Sequence, residues 1–90
     1  MDLLENNMEN KVLELVREYF RHNIESDIPY YKINLFIVWS CYILGNRKYL
    51  VGASNSDLYF EVTYNKDKDE WYIDQYIKVK NTCIKNKDNN

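Results

Sequence analysis

Few side chains in this sequence could do covalent chemistry: there is one histidine, His22, and there are two cysteines, Cys41 and Cys83. A metal centre needs several ligands at short spacing. With no second histidine and no CxxC pair, His22 reads instead as an exposed residue near a helix end, where a cation complements the helix dipole. Cys41 would need a neighbouring base and a polar setting to act as a nucleophile, and the apolar run around Trp39 assigns it to the core as an inert thiol. A reduced cytosol and a buried strand position both oppose a Cys41–Cys83 disulfide. Glu61 and Asp74 are expected to face each other across neighbouring strands, as carboxylates do in acid/base enzymes. On a solvated sheet the plainer reading is mild repulsion, relieved by Lys48 or Lys78. Gly45 and Gly52 are the only glycines, so no glycine-rich phosphate loop exists. The expectation is a protein with no catalytic residue, no metal and no cofactor.

What remains is a set of aromatic side chains. On the expected strand register, Phe36, Val38, Tyr42, Tyr49, Val51, Tyr59, Tyr72 and Tyr76 all point away from the helix, with Tyr59 directly opposite Tyr76. Such a face is larger than monomers usually leave wet. The candidate interaction surface is therefore Tyr42, Tyr49, Tyr59, Glu61, Tyr72, Asp74 and Tyr76. Simple cross-strand packing in a tyrosine-rich chain is the competing explanation.

The elements that position these residues follow from periodicity. Leu4, Met8, Val12, Leu15 and Tyr19, with Val16 and Phe20 alongside, recur at helical spacing against a charged remainder, which predicts an amphipathic helix. Asp2 and Glu5 form a candidate capping box, and Asn23, Ser26, Asp27 and Pro29 end the helix. From Ile33 the pattern becomes strand-like. Ile33, Leu35, Ile37, Trp39, Cys41 and Ile43 alternate without a polar exception, and Gly45-Asn46 offers a two-residue hairpin turn. Two further strands are expected, Leu58 to Tyr64 and Trp71 to Val79.

Register decides which face is which, because a slip of one residue inverts a strand. A turn at Asp67-Lys68 sets Val62 against Ile73 and Leu58 against Ile77. A three-residue loop between the second and third strands sets Leu50 against Phe60 and keeps Trp39, Cys41 and Ile43 inward, whereas a four-residue loop turns those three outward. The odd loop is preferred. The predicted fold class is α+β: an N-terminal helix on a four-stranded antiparallel meander, two layers, like a small cystatin-type or NTF2-like element. Residues 1–80 form the single domain and residues 81–90 a polar, frayed tail, with a short helix over 77–84 as the alternative to strand.

Composition sets further limits. Twelve basic and fourteen acidic side chains give a net charge of −2, which argues against both a cationic nucleic-acid binder and an anionic DNA mimic. Residues 1–30 nevertheless carry net −4 and residues 31–90 net +2. The longest apolar run, Leu35 to Trp39, is far too short to span a bilayer, and the start Met1-Asp2-Leu3-Leu4-Glu5 lacks the cationic flank of a signal peptide. A cytoplasmic protein with no membrane partner is expected. Asn, Lys, Ile and Tyr make up 38 of the 90 residues while alanine occurs once, a skew that fits an AT-rich genome.

Two blocks carry a family resemblance. The first holds Asn34, Phe36, Val38, Trp39, Cys41, Leu44, Asn46 and Lys48, and the second runs from Tyr59 to Lys78 as Y-x-E-x-T-Y-N-x-D-K-x-E-x-Y-x-D-x-Y-x-K. Together they resemble a family of small uncharacterised proteins of phages and prophages of Gram-positive bacteria, departing from it at Arg47 and in the linker Ala53 to Asp57. The resemblance implies a mobile-element origin and life inside a low-GC bacterium. It implies no activity, cofactor or catalytic residue.

The expected function is stoichiometric binding of a host or phage protein through the aromatic sheet face, inhibiting a host defence or replication factor; homodimerisation through the same face is compatible with it. Two alternatives stand beside this. A small-ligand binder would hold its ligand between helix and sheet near Trp39 and Trp71, and a nucleic-acid accessory protein would combine the tyrosines with Lys78, Lys80, Lys85 and Lys87. Stacking platforms come with basic grooves, so nucleic acid is the less favoured partner.

Overall fold

The computed structural model describes residues 3–29 and 32–87. Helix α1 spans Leu3–Asn23 and is followed by strands β1 (Leu35–Ile43), β2 (Asn46–Ala53), β3 (Leu58–Asn65) and β4 (Glu70–Ile77). The strands form one antiparallel sheet in the order β1-β2-β3-β4, and α1 packs on one face of it. The fold is α+β, as expected. The expected capping box at Asp2 lies outside the described residues.

The helix buries a narrower stripe than its composition suggests. Val12, Val16 and Phe20, spaced four apart, form the ridge in the core, with Met8, Leu13, Tyr19 and Ile24 packed beside it. Leu15, expected in the stripe, is half-buried and stands outside this cluster. At the C-terminus two amides share the Phe20 carbonyl, from Ile24 at 2.9 Å and Glu25 at 3.0 Å, and the Asn23 side-chain amide donates to the Tyr19 carbonyl at 3.0 Å. These bonds satisfy carbonyls that the helix end leaves without partners. Pro29 then bars a return to helix.

On the sheet side the core consists of Tyr49, Val51, Phe60 and Val62, with Ile33 and Leu35 closing one end. The phenylalanine ring anchors the layer, since Tyr19 and Phe20 both meet it edge-on, at centroid distances of 5.9 and 6.4 Å. Burying each such side chain contributes roughly 1.5–3 kcal/mol.

The β3–β4 register is as expected, with Val62 opposite Ile73, Leu58 opposite Ile77 and Tyr59 opposite Tyr76. Three features of the first two strands differ from expectation. The first turn falls on Leu44-Gly45, not Gly45-Asn46: both residues have positive φ, 51° and 80°, the type I′ pattern that suits the sheet's twist. Next, a β-bulge interrupts β1, where Ile37 pairs with Val51 but Trp39 pairs with Leu50, leaving Val38 unpaired. Finally, Ala53 and Leu58 are joined by four residues, with Val51 set against Phe60. This loop is tied to the start of β1: the Ser54 amide donates to the Asn34 carbonyl at 2.9 Å, and the Asn34 side chain donates to Ser54 Oγ at 3.0 Å. Asn55 takes the positive φ (57°) that closes it, and Ser56 Oγ accepts the Leu58 amide at 3.1 Å.

The four-residue loop turns Trp39, Cys41 and Ile43 outward, while the bulge lets Leu35 and Ile37 stay inward on the same strand. Strand β4 ends at Ile77 rather than Val79, and residues 78–87 form neither strand nor helix.

Candidate interaction surface

Pairing across the sheet arranges the face away from α1 in rows. One row holds Phe36, Gly52, Tyr59 and Tyr76; the next Trp39, Leu50, Glu61 and Asp74; the third Cys41, Lys48, Thr63 and Tyr72. Two carboxylates thus sit in the middle of an aromatic surround. Phe36, Trp39, Tyr72 and Tyr76 are 47%, 41%, 44% and 51% exposed. Lys48 Nζ reaches Glu61 Oε1 at 3.8 Å along the diagonal, the relief expected for the facing pair Glu61 and Asp74. Lys78 pairs with Asp57 instead, at 3.9 Å.

Five of the seven expected surface residues, Tyr59, Glu61, Tyr72, Asp74 and Tyr76, lie on this face. Tyr49 does not. It pairs with Val62 under the helix and is fully buried, so it is a core residue. Tyr42 also falls on the helix-side face, opposite Arg47, at the far end of the first hairpin; it is 62% exposed, with the Arg47 guanidinium 5.3 Å from its ring centroid. Val51, likewise expected outside, is buried. The surface gains Trp39 and Leu50 in their place. Cys41, expected in the core, is an exposed free thiol, and so is Cys83.

A period-two signal pointed to part of this. The set Tyr49, Val51, Ala53 is uniformly apolar, while Lys48, Leu50, Gly52 includes a charge and a glycine, so alternation within β2 places the first set inward.

At the end of the sheet nearest the β3–β4 turn, two tyrosines are held by acids. Tyr72 donates to Glu70 Oε1 at 2.6 Å, and on the opposite face Tyr64 donates to Asp69 Oδ1 at 2.7 Å while its ring packs on Trp71 at 4.7 Å. These bonds stabilise the neutral phenols, so both titrate above the usual tyrosine value, helped by partial desolvation and by the negative charge alongside.

The remaining sites are less developed. His22 Nδ1 lies 3.0 Å from the Glu18 carbonyl in the last helical turn. Among the described residues no group of three or more His, Cys, Asp or Glu side chains converges to hold a metal. A cleft between helix and sheet is lined by Phe20, Ile24, Ile28, Ile33 and Leu58, at the end where β1 begins, away from Trp39 and Trp71. Among the described residues no helix is long and apolar enough to cross a membrane.

Fold and surface together define a two-layer α+β protein with one sheet face covered by a helix and the other bare. The chain belongs to a family of unknown function, DUF6275, whose model matches residues 5–86. No curated protein and no solved structure matches it.

Proposed function

We propose that this is a phage- or prophage-encoded accessory protein that acts in the cytoplasm of a bacterial host by stoichiometric binding of another protein, without catalysis. The observation that carries the reading is the bare sheet face, where Phe36, Trp39, Tyr72 and Tyr76 stand roughly half exposed around Glu61 and Asp74. Aromatic residues are enriched in protein interfaces. An acidic centre with aromatic walls suits a basic side chain, above all arginine, whose guanidinium meets carboxylates in a bidentate fork and stacks on rings. The partner is accordingly a protein presenting an arginine or lysine on an apolar patch, with host defence and replication factors as the first targets to test.

The experiment is affinity capture from infected or lysogenic cells with the wild-type chain and with Trp39→Ser/Tyr76→Ser, followed by calorimetry on the purified partner. Binding at a fixed ratio that is lost in the folded double variant supports the reading. Equal binding by both chains overturns it.

A further inference from the structure

The two ends of the sheet's connectivity leave complementary unpaired features. Strand β1 is an edge strand of nine residues, LFIVWSCYI, with no charge and no proline. Natural edges are protected by lysines, prolines, bulges or covering elements, and of these β1 shows, among the described residues, only the bulge at Val38. It presents unpaired backbone groups along an apolar strand.

Residues 78–87 provide a segment that could fill such an edge. They continue from β4 without helix, strand, turn or bend, and all are exposed; Val79 and Ile84 are 91% and 88% accessible. The root of this arm is fixed: the Lys78 amide donates to the Asp57 carbonyl at 2.7 Å, and its side chain pairs with the Asp57 carboxylate. Beyond it the arm runs clear of the body. The radius of gyration is 16.0 Å and the longest extent 54 Å, against about 12 Å expected for the radius of a compact domain of this length. The family match runs over residues 5–86 and so takes in the arm as far as residue 86. Val79, Thr82, Cys83 and Ile84 favour strand, and no glycine or proline interrupts them.

The arm and the free edge match in length at nine residues each, counting 79–87, but they lie on opposite sides of one sheet, three strand spacings or about 14 Å apart. The arm makes no turn toward its own β1. Its four lysines and no acid within 78–87 also disfavour pairing between two arms, and they complement a helix that exposes Glu14 and Glu18, with Glu25 exposed just beyond its end.

We propose that residues 79–87 are a donor strand that pairs with the free edge of β1 in a second copy of this chain, giving a reciprocal arm-exchanged dimer in which each sheet gains a fifth strand. This surface is distinct from the bare sheet face.

The native thiols report on it, one in the acceptor strand (Cys41) and one in the arm (Cys83), both exposed. Light scattering should give a dimer, and a short thiol-specific bismaleimide should link it. That link should vanish in Cys83→Ser and equally in Cys41→Ser. Alternate amides of an added strand face its partner, so Thr82→Pro/Lys85→Pro covers both registers; it should raise the dissociation constant by about tenfold or more while leaving the circular dichroism of the body unchanged. A wild-type chain that stays monomeric at millimolar concentration overturns the proposal. So does a dimer indifferent to the prolines, which would point to the sheet face, or a cross-link that survives Cys83→Ser, which would mean that two β1 edges pair.

Discussion

The ring of Phe36 lies over Gly52, its cross-strand partner, so closely that a Cβ on the glycine would stand 2.7 Å from Phe36 Cζ. The ring covers a backbone that has no side chain of its own, which is why Gly52 is buried on an otherwise open face. The pairing gives the bare face one fixed aromatic position and makes the glycine's role testable.

Gly52→Ala should destabilise the protein by about 1 kcal/mol, since the ring must be displaced. In a Phe36→Ala background the same change should stabilise by roughly 0.5–1 kcal/mol, because alanine loses less conformational freedom than glycine in a strand. Urea melts of the four chains form the cycle. The same sign in both backgrounds would remove Phe36 as the reason for the glycine.

Tyr49 and Leu50 are neighbours on β2 and test the register against its nearest rival. Tyr49→Ala empties a fully buried site and should cost about 3–5 kcal/mol. Leu50→Ala, on the half-buried outer face between Trp39 and Glu61, should cost about 1 kcal/mol. Denaturation followed by tryptophan fluorescence compares them, and the reverse order would mean that β2 is inverted.

That rival register is the one the sequence favoured, for a physical reason. Long elements with strong periodicity are legible: α1 follows from helical spacing, the four strands and the whole β3–β4 pairing follow from alternation, and with them Tyr59, Glu61, Tyr72, Asp74 and Tyr76 of the surface. A bulge leaves no such mark. Ile33 to Ile43 alternates perfectly, yet the chain inserts Val38 and splits that series between two faces. The turn was equally concealed, because placing Leu44 at positive φ is locally unfavourable and is imposed by the pairing on either side. Tyr49 and Trp39 exchange faces because the loop between β2 and β3 has four residues rather than three, which sets Val51 and not Leu50 against Phe60.

Leu44 therefore carries a correctable strain. It is 95% exposed, with a φ of 51°, and left-handed backbone costs a residue with a Cβ about 1–2 kcal/mol. Asparagine tolerates that geometry and is favoured beside glycine in type I′ turns. Leu44→Asn should raise stability by about 1 kcal/mol without altering the sheet, as read from the urea midpoint and strand circular dichroism. A loss of stability would show that Leu44 makes a contact that outweighs the strain.

The last prediction concerns alkaline pH. Tyr64 and Tyr72 donate to Asp69 and Glu70, and both phenols titrate above their ordinary value of 10.0. Raised folded-state values mean that the native protein holds these protons more tightly than the unfolded chain does. Their contribution to stability is therefore complete below the unfolded value, and it is lost as pH climbs through the folded ones. Both side chains meet solvent, so the effect is small for each. Replacing the acceptors, in Asp69→Asn and Glu70→Gln, should return each tyrosine toward its ordinary titration, removing the charge and weakening the bond that favours the neutral form. Tyrosinate absorbance across pH 9–12, compared between wild type and the two variants, reads this directly. If the late-titrating tyrosines are unchanged in Glu70→Gln, the Tyr72–Glu70 bond is not what holds the proton at that corner of the sheet.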